Sequence, residues 1–165
     1  MIFYGILALV LVLIDQLTKL LTRANIDLGG SVPFLPKVLD FTYYKNTGAA
    51  FSILEKHTWL LTVVSAVVVL VIAWLMFRKF FTHWVGMLSA ALIVAGGVGN
   101  LIDRIAFGYV TDMIRTLFMD FPIFNVADCC ITVGVVLLFV YVLFFFDDKK
   151  KEAPQDGSDL PADHQ

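Results

Sequence analysis

Residues 96–128, GGVGNLIDRIAFGYVTDMIRTLFMDFPIFNVAD, leave one apolar segment and enter another, and carry Asn100, Asp103, Arg104, Asp112, Asn125 and Asp128 on the way. A charged side chain at the centre of a bilayer costs about 2.5–3.5 kcal/mol on insertion scales, and less near an interface. So many ionisable groups at the mouth of an oily segment therefore imply mutual pairing around a wet cleft. Asp112 and Asp128 are read as a catalytic pair, with the other polar groups holding them.

Outward from that stretch the chain is lipophilic. Its 165 residues are 59% hydrophobic and 16% charged, with 15 Phe and a mean hydropathy of +0.85. Soluble domains run at about 45–50% apolar and about 25% charged. The excess falls in four blocks, at residues 2–21, 59–77, 84–102 and 126–146, each close to the ~20 residues that cross a ~30 Å hydrocarbon core. The first block lacks the Lys/Arg head of a signal peptide and holds Asp15 and Lys19, so it reads as a retained transmembrane helix. The net charge of −2 says nothing about nucleic acid, but without a basic patch to neutralise a phosphate backbone no nucleic-acid partner is expected. Cys129 and Cys130 are adjacent within an apolar run and read as two small hydrophobes. His57, His83 and His164 lie in other segments, so neither a thiol–imidazole pair nor a zinc site has its spacing.

The expected fold is an all-α polytopic membrane protein, four transmembrane helices with a small extracytoplasmic β-element. Residues 1–146 form one integral membrane domain and residues 147–165, polar and poor in apolar side chains, a disordered cytoplasmic tail. Loop 22–58 carries the helix breakers Gly29, Gly30, Pro33 and Pro36 and the alternating run KVLDFTYY at 37–44, which predicts one or two short strands. Loop 103–125 is the second extracytoplasmic segment. Only residues 78–83 separate the second and third helices, so these form an antiparallel hairpin. Ala95 and Gly99, with Gly96 and Gly97 beside them, let helix backbones approach closely. Trp59 is an interfacial anchor. Arg78 and Lys79 in the short turn and Lys149, Lys150 and Lys151 in the tail favour both termini in the cytoplasm, because charges close to the membrane ends of short loops set orientation.

That topology brings the ends of helices 1 and 3 and the start of helix 4 to one membrane face. Asp15 and Lys19 share a helix face one turn apart, as do Asn100, Asp103 and Arg104. Asp112 lies in the loop before helix 4 and Asp128 opens that helix. Two carboxyl groups brought close hold one proton between them. The ionised member can take a proton from water while the protonated one donates to a carbonyl oxygen, which is peptide hydrolysis without a covalent intermediate.

Five ordered motifs then stand out: DQLTK (15–19), KNTGAAF (45–51), GGVGNLIDR (96–104), VTDMI (110–114) and FNVADCCITVG (124–134). Together they resemble the bacterial lipoprotein signal peptidases, or signal peptidase II. The resemblance implies an intramembrane aspartyl endopeptidase of the bacterial plasma membrane that uses no metal or cofactor and is inhibited by globomycin. Its substrates are prolipoproteins, cut before a diacylglyceryl-modified cysteine whose acyl chains stay in membrane lipid. It makes Asp112 and Asp128 the catalytic dyad at the extracytoplasmic face. Asp15, Lys19, Asn46, Gly48, Ala49, Asn100, Arg104 and Asn125 become the supporting shell, and Asp103 and Asp120 drop out as catalysts. The family has an apolar residue before the first aspartate and Phe after it, where this chain has Thr111 and Met113. Within the shell, Asn125 is expected to cap helix 4, Lys19 to neutralise Asp15 in a structural role, and Asn46 to bond the extended substrate backbone. Arg104 is expected to hold a carboxylate or a substrate carbonyl. The enzyme is expected to act as a monomer, with the 37–53 element as a platform on the membrane surface.

Two other classes compete. An ion-coupled carrier also uses intramembrane Asp, Lys and Arg, but places its site near the midplane on broken helices. A non-enzymatic assembly factor, or a polar cluster that only glues helices together, predicts no sensitivity to removal of one carboxyl.

Overall fold

The computed structural model describes residues 1–48 and 58–146; the expectations for Ala49 and for the tail at 147–165 fall outside them. Four helices are long and apolar enough to cross a membrane: α1 (Ile2–Asn25), α2 (Thr58–Phe77), α3 (Trp84–Phe107) and α4 (Val126–Phe144). Three strands, β1 (Ser31–Leu35), β2 (Leu39–Asn46) and β3 (Val110–Thr116), make one antiparallel sheet in the order β1-β2-β3. This is the expected multi-pass helical membrane protein with a small sheet.

The element ends differ from the sequence expectation. α1 runs to Asn25 rather than 21 because its buried face, Asp15, Lys19 and Thr22, continues past the apolar block. α3 runs to Phe107 rather than 102 and stops at Gly108, whose φ of 75° provides the left-handed turn while its N–H donates to the Arg104 carbonyl. α4 ends at Phe144. The larger difference is β3, which occupies what reads in the sequence as a flexible loop. Tyr109, Val110, Thr111, Ile114 and Thr116 are β-formers, but the strand takes its partner, β2, from before α2 and α3.

α3 is the buried centre. Ala90, Ala91 and Ala95 are fully or almost fully buried, and α3 packs against each of the other three helices. Its small residues permit this. A Cβ on Gly96 would collide with the Ala127 carbonyl oxygen of α4, and one on Gly99 would lie 2.5 Å from Asp15 Oδ2. From α4, a Cβ on Gly134 would lie 2.8 Å from Ile93 Cγ1. The outer faces of α1, α2 and α4 present Leu, Val, Phe and Trp side chains, the surface a hydrocarbon solvent requires.

The two ends of the bundle differ. At one end, His83 stacks on Phe145 at 4.0 Å, and Phe81 meets Tyr141, closing the turn between α2 and α3. At the other, β3 packs against α1 and α3, and Thr58 Oγ1 donates to the Thr47 carbonyl at 2.6 Å, tying the start of α2 to the end of β2.

Gly96→Ala is expected to lower stability by about 1–3 kcal/mol, the usual range for overpacking a tight contact, because backbone faces it. Gly97→Ala should cost less, since it meets only the Val69 side chain. Thermal unfolding of the two purified variants in detergent tests the order.

Candidate active site

Asp112 sits on β3 opposite Tyr44 of β2, beside an irregularity in the pairing between Phe41 and Tyr44. Such bulges re-aim side chains next to functional sites. The other edge of β3 is covered by the chain entering α4: Met113 and Ile114 both donate to the Phe124 carbonyl, at 3.0 and 2.8 Å, and Phe124 donates back to Ile114 at 3.1 Å. The residue after Phe124 is Asn125. The strand that carries Asp112 is thus held directly against the start of the helix that carries Asp128.

Asn125 caps α4. Its Oδ1 accepts from the Asp128 N–H at 2.9 Å, while Asp128 Oδ2 accepts from the Asn125 N–H at 3.1 Å, a reciprocal capping box. With its oxygen committed to the cap, the Asn125 amide group turns outward and donates to Asp112 Oδ1 at 2.6 Å and Asn100 Oδ1 at 3.1 Å. Asn100 donates in turn to Asp128 Oδ1 at 2.7 Å. Asn46, at the end of β2, donates to Asp112 Oδ2 at 2.9 Å and accepts from the Gly48 N–H at 3.0 Å. One of its two amide N–H donors is thus committed to Asp112, while the residue itself lines the cleft. Each of the four carboxyl oxygens accepts one protein donor, leaving further acceptor capacity on each.

Behind this layer lies a buried ionic one. Lys19, with no exposed surface, pairs with Asp15 at 2.9 Å as expected. It also donates to Asn100 Oδ1 at 2.9 Å and the Gly99 carbonyl at 3.3 Å, and stands 3.6 Å from Asp103. Asp15 Oδ1 accepts from the Ala127 N–H at 2.9 Å, anchoring α1 to the first turn of α4.

Two contributors, Gln16 and Arg23, were not singled out from the sequence. Gln16 donates to Asp15 and to the Gly99 carbonyl. Asp103 accepts from the Thr111 N–H at 2.8 Å, and Arg23 donates to Thr111 Oγ1 at 2.9 Å while lying over the Phe107 ring. Thr111, the departure from the family pattern, is therefore used as a hydrogen-bonding pin for β3, and Met113 is buried. The DQLTK motif held Gln16, but nothing local in sequence signals that Arg23 reaches Thr111.

Asp112 and Asp128 open onto a cleft of about 960 Å³. Asn46, Gly48, Asn100 and Arg104 share its inner wall, and Met119, Phe121, Ile131 and Val133 form an apolar side. Arg104 is half-buried, and its Nε has no hydrogen-bond partner. Asp120 lies on the cleft lining, whereas Asp103 is sealed among Lys19, Arg23 and Thr111. Burial, and then the charge of Asp128, push the Asp112 carboxyl up to about 7, against the donors Asn46 and Asn125 and the charge of Lys19.

The sequence pattern of the family described as "Signal peptidase (SPase) II" matches residues 7–144. The "Lipoprotein signal peptidase" of Enterococcus faecalis is 38% identical over 158 residues, covering 96% of this chain and 97% of that protein. The protein of the same name from Lactococcus lactis subsp. cremoris is 42% identical over 142 residues, covering 84% and 94%. A solved structure described as a bacterial membrane enzyme superimposes with a TM-score of 0.81 at 28% identity, covering 93% of each chain. A second such structure gives 0.78 at 30% identity, covering 86% of this chain and 93% of the other.

Because Asp112 keeps its proton in the folded state up to about pH 7 but loses it near pH 4 when unfolded, the native state binds more protons across that window. Stability contributed by this group is therefore lost as pH rises from about 4 to about 7. Asp112→Asn cannot titrate, so the Tm of the variant minus that of the parent should increase from pH 5 to pH 8. A pH-independent difference in Tm would contradict the assignment.

Proposed function

Since the chain belongs to the signal peptidase II family, aspartic endopeptidases that cleave signal peptides from prolipoproteins, we propose that Asp112 and Asp128 are its catalytic pair. The observation that carries this is their convergence: two carboxyl groups from different elements, each fixed by asparagine donors, share one cleft and are linked through the Asn125 and Asn100 amides.

The reaction follows from a pair that holds one proton between its members. Asp112 holds the shared proton and donates it to the scissile carbonyl oxygen. Asp128 takes a proton from the attacking water as the new C–O bond forms. In the resulting gem-diol, Asp128 passes its proton to the leaving nitrogen, the C–N bond breaks, and Asp112 recovers its proton from the collapsing hydroxyl. Cleavage falls before the lipid-modified cysteine. Arg104, whose side chain lines the cleft, holds a substrate carbonyl. The apolar wall at Met119, Phe121 and Val133 suits a substrate that stays partly in lipid.

The site lies on the extracytoplasmic side, with both termini in the cytoplasm. Arg78 and Lys79 close the opposite end of the bundle, where short basic turns stay in the cytoplasm. The Val32, Phe34, Leu35 and Phe41 side chains exposed on the sheet rest on the membrane surface beside the cleft. The carrier reading is not favoured: the polar groups sit in the second half of the unbroken helices α1 and α3 and in the first turn of α4, not at broken helices.

Asp112→Asn and Asp128→Asn, purified in detergent and given a lipid-modified prolipoprotein, should each lose roughly 100- to 10,000-fold in kcat, the scale of general acid–base catalysis. Near-normal cleavage by either sinks the dyad. In the parent enzyme kcat should fall as pH rises above about 7, when Asp112 loses its proton.

A further inference from the structure

Lys19 is a fully buried cation that the hydrolytic steps above do not use. Its Nζ has four neighbours: Asp15 Oδ2 at 2.9 Å, Asn100 Oδ1 at 2.9 Å, the Gly99 carbonyl at 3.3 Å and Asp103 Oδ2 at 3.6 Å. If charge balance for the acids were its whole function, contact with a neutral amide would add nothing. Asp103 moreover has a second cation, Arg23, at 3.6 Å.

The contact with Asn100 has a chemical consequence. A carboxamide has oxygen and nitrogen ends of nearly equal size, and its orientation is set by what each end meets. Asn100 Oδ1 meets the Lys19 ammonium and the Asn125 amide, and Asn100 Nδ2 meets Asp128 Oδ1 at 2.7 Å. The reverse orientation would point its NH2 group at a cation and at another NH2 group, and its oxygen at a carboxyl oxygen. Of the two partners of Oδ1, only Lys19 carries charge, and a charge-assisted hydrogen bond is about twice as strong as a neutral one.

We propose that Lys19 is a positioning residue for peptide hydrolysis: it locks the Asn100 amide so that its NH2 group faces Asp128, and so sets the geometry of the dyad from behind. This rests on the reading of Asp112 and Asp128 as the catalytic pair. The relay crosses three helices, from α1 through α3 to α4, in two hydrogen bonds. Lys19 also acts on Asp112 through space, its charge opposing the upward push of burial. The charged groups that face it are Asp15 from α1, Asp103 from α3, Asp112 from β3 and Asp128 from α4, with Arg23 and Arg104 acting on those same acids.

The test uses the full chain in detergent with a lipid-modified prolipoprotein. Lys19→Met keeps the side-chain length and removes the charge and the donors, but strands Asp15. Lys19→Met/Asp15→Asn removes that stranded charge and keeps the oxygen that accepts from Ala127. The double variant should regain most of the Tm lost by Lys19→Met. Its kcat should remain down by roughly 10- to 100-fold, the scale of a hydrogen bond to a charged group, with KM little changed and the alkaline limb of the pH profile displaced upward. In an Asn100→Ala background, Lys19→Met should cost little further kcat, because the relay is already cut. Wild-type kcat and pH profile in the double variant, a loss that falls on KM, or additive losses with Asn100→Ala would each overturn the proposal. Asp112→Asn run beside these separates the two readings: full cleavage by that variant removes the dyad, whereas a wild-type profile in the double variant removes only the role of Lys19.

Discussion

One side chain, Asn125, closes α4 and joins the two candidate catalytic groups. A helix start leaves backbone N–H groups without partners, and in a lipid-facing fold each such group must be satisfied internally. Asn125 meets that need with its oxygen, which frees its nitrogen to reach Asp112. Capping and positioning are therefore a single constraint. The close approach of α3 to α4 at Gly96 and Gly99 makes room for it, and the pairing of β3 with Phe124 delivers Asp112 to within reach.

The site is two layers deep. The layer at the cleft consists of amides and carboxyl groups and is held by neutral–acid hydrogen bonds. The layer behind is ionic, Lys19 with Asp15 and Asp103, and sits among helix backbones where water does not compete. Ion pairs in such a place are costly to break one partner at a time, which suits a scaffold that must not shift. The two layers meet at Asn100, which among the described residues is the side chain bonded both to Lys19 and to Asp128.

Much of this was legible in the sequence because spanning helices are a strong signal and helix ends follow from them. Asp15, Lys19, Asn100 and Asn125 could be placed at one level by helical spacing alone, and Asn125 before an apolar run is a recognisable cap. The pairing of Lys19 with Asp15 follows from i,i+4 geometry. What could not be read was anything that depends on the sheet. β3 pairs with a strand some seventy positions earlier, so neither its existence nor the turn of Asn46 toward Asp112 has a local signature. Gly108 did mark the end of α3, and would have extended that helix to Phe107. Arg23 and Thr111, 88 residues apart, belong to the same class of long-range contact.

The sheet has a consequence for how the molecule comes into being. β2 leaves the ribosome long before its partner β3, with two spanning helices between them. Until β3 arrives, only β1 pairs with β2. Asn125 and Asp128 come later still, with α4. A nascent chain with three helices inserted therefore carries every buried charge of the supporting layer but no complete hydrolytic centre. On the proposed assignment of Asp112 and Asp128, synthesis order leaves the catalytic pair incomplete until the last span, α4, is in place.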